Sequence, residues 1–131
     1  MANALYPKYK ESLLQAGVNL SSGNVKAALV DLGTYTYSAA HQFFSSITGV
    51  VGTPVALTSK TFTDGVFGAA NPSFGATSGV TAEALVFYVD TGTAGTSPLL
   101  AFMDTGVGNL PVTPNGGVID LTLNGSGIFA L

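Results

Sequence analysis

The sequence predicts an all-β fold: a single β-sandwich or barrel-like domain with a short N-terminal helix. Three observations predict it. From Val50 onward the apolar stretches are short and recur at the spacing of about 8–12 residues typical of sandwiches and barrels. Gly, Asn, Asp and Pro separate them, as in Asp64-Gly65 and Pro114-Asn115-Gly116-Gly117, where the backbone is predisposed to turn. Only residues 4–16 carry a convincing helical pattern.

In that first segment Asn3 is placed to cap the start, and Pro7 is tolerated in the first turn. Leu5, Tyr9 and Leu13 share a face at i, i+4, i+8, and Gly17 stands where a helix ends on a left-handed residue. Residues 1–24 therefore read as a helical arm, either reaching a neighbouring subunit or lying across an open end of the β domain formed by residues 25–131. Val25–Leu32 predicts a first strand; its run Ala27-Ala28-Leu29-Val30 does not alternate, so both faces are expected to be buried. Residues 38–47 allow one or two helical turns. Val50-Val51 and Val55–Leu57 predict brief strands around Pro54, and Val66-Phe67 follows the Asp64-Gly65 hairpin turn. After a short piece at Ser73–Ala76, Ala82–Asp90 is the strongest strand, with Leu99–Asp104 as its antiparallel partner. Ile119, Leu121 and Leu123 point one way while Asp120 and Thr122 point the other. Ile128–Leu131 is an apolar last strand that completes a sheet.

Length and composition bound the function. A chain of 131 residues hides roughly two-thirds of its unfolded surface in one domain without a covalent staple. With no cysteine, it has neither disulfides nor thiolate metal ligands. Charged residues make up 8%, against about 25% in an ordinary domain, and apolar residues 47%. Thr, Ser, Asn and Gly take the place of charge at the surface. Such an exterior costs little to dehydrate and is suited to becoming interface; the alternative is a monomer with a hydroxyl-rich surface. The net charge of −3, with four lysines and no arginine, argues against nucleic acid. No apolar run approaches the roughly 20 residues of a membrane span, and the first residues do not resemble a signal peptide. Synthesis in a cytoplasm is the expectation.

One motif invites an enzymatic reading. Phe87-Tyr88-Val89-Asp90-Thr91-Gly92-Thr93 matches the apolar run and Asp-Thr-Gly-Thr of aspartic peptidases, and Asp104-Thr105-Gly106 repeats the tripeptide. That chemistry needs two carboxylates about 3 Å apart sharing a proton. Here the two copies fall in the arms of one hairpin region, and little chain remains after them for the rest of the site. Asp-Thr-Gly is also ordinary turn chemistry at a strand end. His41, the sole histidine, has no Cys or acid pair beside it in the sequence with which to form a zinc site or a triad. The acids lack calcium-loop spacing, and the glycines lack a phosphate-loop Lys. The expectation is no catalytic residue, no cofactor and no metal.

Taken together, the segments resemble a group of small virion proteins of tailed bacteriophages. The likeness runs through Ala2-Asn3-Ala4-Leu5-Tyr6, Val25-Lys26-Ala27-Ala28-Leu29-Val30-Asp31, His41-Gln42-Phe43, Thr63-Asp64-Gly65-Val66 and Glu83-Ala84-Leu85-Val86. It continues through Asp90-Thr91-Gly92-Thr93, Leu110-Pro111-Val112-Thr113-Pro114-Asn115-Gly116-Gly117 and Ile128-Phe129-Ala130-Leu131. Ala130 departs from the basic residue these relatives carry before the last Leu, which removes a charge-based role for the tail. The resemblance implies a structural component of a virion, assembled in the host cytoplasm. On it rests the expectation of a capsid decoration, or cement, protein: a homo-oligomer such as a trimer that bridges major capsid subunits. A tail-associated adaptor, collar or fibre component is the alternative. The residues expected to make the protein contacts are Leu5, Tyr9 and Leu13 of the arm, Phe43 and Phe44, and Leu85, Phe87 and Val89.

Overall fold

The computed structural model describes residues 3–131. Its strands are β1 (Ala4–Leu5), β2 (Val25–Val30), β3 (Val50–Ala56), β4 (Val66–Phe67), β5 (Ser73–Phe74), β6 (Ala84–Val89), β7 (Leu99–Met103), β8 (Ile119–Asp120) and β9 (Phe129–Ala130). Helix α1 spans Pro7–Leu14. Five strands form one antiparallel sheet in the order β1-β7-β6-β2-β3; β4 pairs with β9 and β5 with β8 in two-stranded sheets. The large sheet stays open, so the architecture is layered rather than barrel-like.

The lack of alternation in β2 has the predicted consequence. Ala27, Ala28, Leu29 and Val30 are fully buried, as are Leu85, Val86 and Phe87 opposite them. Residues 35–44 cover one face: the rings of Tyr35 and Tyr37 lie 6.3 and 5.4 Å from Phe102, and Phe44 stacks on Tyr88 at 3.9 Å. The small sheets and their flanks supply the other layer, where Phe67, Phe74, Ile119, Leu121 and Leu123 are buried in the same core. The alternation read at 119–123 is present, with Asp120 and Thr122 exposed.

Several expected elements take a different form. The helix begins at Pro7, because residues 4–5 pair with β7 instead and the Tyr6 N–H bonds the Leu100 carbonyl that a bulge in β7 leaves available. Asn3 caps the loop after β7, not the helix: its Oδ1 accepts the N–H groups of Asp104 and Thr105, and its Nδ2 donates to the Thr105 carbonyl. At the other end of α1, Ala16, not Gly17, takes the left-handed position, at φ 57°. The Ala16 and Gly17 N–H groups then bond Leu13 and Ser12 carbonyls, closing the helix in a Schellman arrangement. Residues 38–47 form only a 3₁₀ turn at Phe44–Ser46. The two brief strands around Pro54 are one edge strand, β3, in which Gly52 at φ 70° and a register shift absorb the proline. The last strand completes a sheet as expected, a two-stranded one with β4.

Candidate functional site

The large sheet has two ends. At one, β2 begins and β6 finishes (Val25 opposite Val89); at the other, β2 finishes and β6 begins (Val30 opposite Ala84). Helix α1 lies at the first end, where Ser12 and Gly17 border the same hollow as Val89 and Thr91. Beside the helix is an apolar groove of about 350 Å³. Its aromatic side is a ladder of rings: Tyr9 meets Phe129 edge-on at 6.0 Å, Phe129 lies 5.3 Å from Phe67, and Phe67 lies 5.6 Å from Phe62. Leu13, Leu20 and Leu131 line the rest of it. A partly buried ladder with exposed apolar residues at its rim is the surface most readily covered by other protein: Phe62 is 41% exposed and Leu131 68%.

Local chemistry holds the groove wall at residues 19–23. The Asn19 Oδ1 accepts the Ser21 and Ser22 N–H groups, and the Gly23 N–H bonds the Asn19 carbonyl. Lys60 completes this turn, its Nζ donating to the Leu20 and Gly23 carbonyls at 2.7 and 2.6 Å. An ammonium placed on the outgoing carbonyls of a helical turn is favourable for the same reason as a cation at a helix C-terminus. The opposite wall is turned by Asp64-Gly65, both left-handed at φ 55° and 77°, the backbone that an Asp-Gly pair supports.

The residues expected to contact partners separate into three groups. Tyr9 and Leu13 line the groove, Tyr9 as a buried part of it and Leu13 half-buried. Leu5, Phe43, Phe44 and Val89 are half-buried elsewhere: Leu5 in β1, Phe43 bridged to Pro98, Phe44 against Tyr88, and Val89 at the end of β6. Leu85 and Phe87 have no exposed surface, because layers of the same chain cover both faces of β6. They hold the core and have nothing to offer a second protein. The arm is likewise folded back, with Tyr6 and Tyr9 buried in the chain's own core. The sequence reading missed Phe62, Leu131, Val80 and Val118. Phe62, Val80 and Val118 are apolar residues in loops outside any periodic pattern, and Leu131 belongs to the apolar stretch read as the last strand.

The polar constellations make contacts within the chain. Asp104 follows β7 level with the start of β6, whereas Asp90 follows the end of β6. Six strand residues separate these levels, or about 20 Å, so the two Asp-Thr-Gly copies form no proton-sharing pair. Asp90 instead bonds Lys26 at 2.8 Å and accepts the Gly92 N–H, and these two contacts hold its carboxyl below the usual range. His41 is bonded through Nδ1 to the Tyr35 hydroxyl, which bonds the Tyr6 hydroxyl, each at 2.8 Å. Burial pushes the Tyr6 and Tyr35 hydroxyls up, keeping them neutral. Among the described residues no three His, Cys, Asp or Glu side chains gather as a metal site, and no helix is long and apolar enough to cross a membrane.

No protein-family model matches the chain, and no curated protein matches it significantly.

Proposed function

We propose that this chain is a non-enzymatic structural protein of a tailed-phage virion, a capsid cement protein that bridges and stabilises major capsid subunits. The observation that carries this reading is the apolar groove with its exposed rim of Phe62 and Leu131, set in a chain with only 8% charged residues. Burying such a surface is favourable at about 25 cal/mol per Å², and little charge has to be desolvated around it. The sheet edges favour the same mode of contact. One edge strand, β1, has two residues, and the other, β3, is interrupted by Gly52 and Pro54. Both are poor templates for strand addition, so contact with partners falls to side chains. The segment-by-segment likeness to phage virion proteins supplies the setting.

Quantitative mass spectrometry of purified particles tests the reading. A cement protein is present on the order of hundreds of copies per head, whereas a collar or tail component is limited to the few copies of a closed ring. Absence from heads with presence in tails would replace the cement assignment by the tail-associated one. Absence from particles altogether would refute both.

A further inference from the structure

The end of the sheet opposite the groove carries features complementary to it. There the loops before β6 and before β8 are tied together. The Thr77 N–H bonds the Gly117 carbonyl, the Gly116 N–H bonds the Thr77 carbonyl, and the Thr81 and Thr113 hydroxyls lie 2.8 Å apart. Val80 and Val118 stand out from these two loops, 59% and 64% exposed. The tip and the groove are separated by the length of β6, about 17 Å of strand.

Charge is segregated along the same axis. All four lysines lie at the groove end: Lys8 and Lys10 on α1, Lys26 near the start of β2, and Lys60 on the groove wall. Glu11 pairs with Lys8 at 3.2 Å, Asp90 pairs with Lys26 at 2.8 Å and Asp64 lies on the groove wall, so four lysines against three acids leave the side chains of that end at +1. Asp31, directly after β2, and Glu83, directly before β6, lie at the tip end, which has no lysine. Their carboxylates accept only uncharged donors among the bonds observed, the Gly33 N–H and Thr34 hydroxyl for Asp31 and the Leu32 N–H for Glu83.

We propose that the occupant of the groove is a second copy of this chain, docked head to tail. Val80 and Val118 of one copy seat against Leu13, Phe62 and Leu131 of the next, and Asp31 and Glu83 face Lys10 and the Lys8–Glu11 pair, from which Lys8 can turn to them. Tip and groove are different surfaces, so the interface is heterologous and must close into a ring or propagate as a chain of copies. The inference rests on the reading that the groove docks protein, not on the virion assignment. Loss of self-association would leave particle copy number to decide the latter.

Sedimentation velocity of the full chain and of two surface variants tests the proposal. Val80→Asp with Val118→Asp spoils the tip, and Leu131→Glu spoils the groove; circular dichroism checks that each folds. The wild type is expected to associate with increasing concentration, and more weakly in about 0.5 M salt than in 0.05 M. Each variant should weaken association at least about tenfold, since a charge would have to enter an apolar groove. Mixed together, the two variants retain one intact tip and one intact groove, so they should form a heterodimer that grows no further. A wild type that stays monomeric, oligomers indifferent to both variants, or a mixture no more associated than its parts would each overturn the proposal. If Leu131→Glu fails to fold, Phe62→Asp takes its place with the same expectations.

Discussion

Lys60 is the residue on which the groove wall depends most directly, and replacing it with Met tests that dependence. Met keeps most of the apolar stem and removes the ammonium, leaving the Leu20 and Gly23 carbonyls without the donor that sits 2.7 and 2.6 Å away. A hydrogen bond to a charged group contributes about 1.5–3 kcal/mol when dry, and less where water can substitute. Both bonds are part-buried, so about 1 kcal/mol each, or about 2 kcal/mol together, is the expected loss. With a urea m-value of about 2 kcal/mol/M the midpoint falls by about 1 M. The effect is also local. The Gly23 amide, bonded to the Asn19 carbonyl, should exchange with solvent about 30-fold faster. Lys10→Met makes the same change in net charge on the exposed side of α1 and should stay within about 0.5 kcal/mol of wild type. If Lys60→Met matches Lys10→Met in both urea midpoint and Gly23 exchange, the ammonium does not hold the wall and this account of the groove is wrong.

Three further outcomes follow from the fold. Ala16→Gly should stabilise the chain by about 0.5–1 kcal/mol, read as a higher urea midpoint, because relief of a left-handed alanine exceeds the added unfolded-state entropy. Phe87→Ala should cost about 3–5 kcal/mol by leaving a cavity between two covered layers, against about 1–2 kcal/mol for half-buried Phe44→Ala; equal losses would contradict the placement of Phe87 in the core. Alkali should unfold the protein through its tyrosines. Burial, with Asp90 nearby, pushes Tyr88 up to about 12, and burial also raises Tyr6, Tyr9 and Tyr35, whereas unfolded tyrosines ionise near 10. Their contribution to stability is therefore complete below pH 10 and is lost as pH rises beyond it. A urea midpoint that stays unchanged up to about pH 11 would contradict this, as would tyrosinate absorbance that rises fully before unfolding.

The strands were legible wherever packing repeats along the chain. A run with no polar interruption, as in β2 and β6, has to be covered on both faces, and alternation at 119–123 has to lie on a layer with one wet face. The helix boundary was not legible, because the pattern Leu5, Tyr9, Leu13 fits a helix from residue 4 while a competing strand pairing with β7 claims Ala4 and Leu5. Local propensity has no access to that distant partner. The same limitation misplaced the contact residues. Leu85 and Phe87 look like an interface when the layer that covers them lies tens of residues away, and Phe62 looks like an isolated loop residue and Leu131 like the end of a strand until the β4–β9 pairing brings them to one groove.

Low charge alone predicts indiscriminate adhesion, yet the distribution of the charge that remains argues for direction. A sheet with usable edges would grow laterally by strand pairing, and β1 and β3 withhold those edges by shortness and by Pro54. What is left for association is the pair of ends. They differ in shape, one a groove with a ladder of rings and the other two tied loops with protruding valines, and they differ in sign of charge. Two identical ends would meet in a closed pair, but unlike ends that fit each other must run in one direction. The few lysines thus act by position more than by number. Moving charge to the wrong end, with Lys8→Glu and Lys10→Glu together, should suppress self-association as strongly as Val80→Asp with Val118→Asp. The helix those lysines occupy should stay folded, with an unchanged circular dichroism spectrum, because both lie on its exposed or half-exposed side.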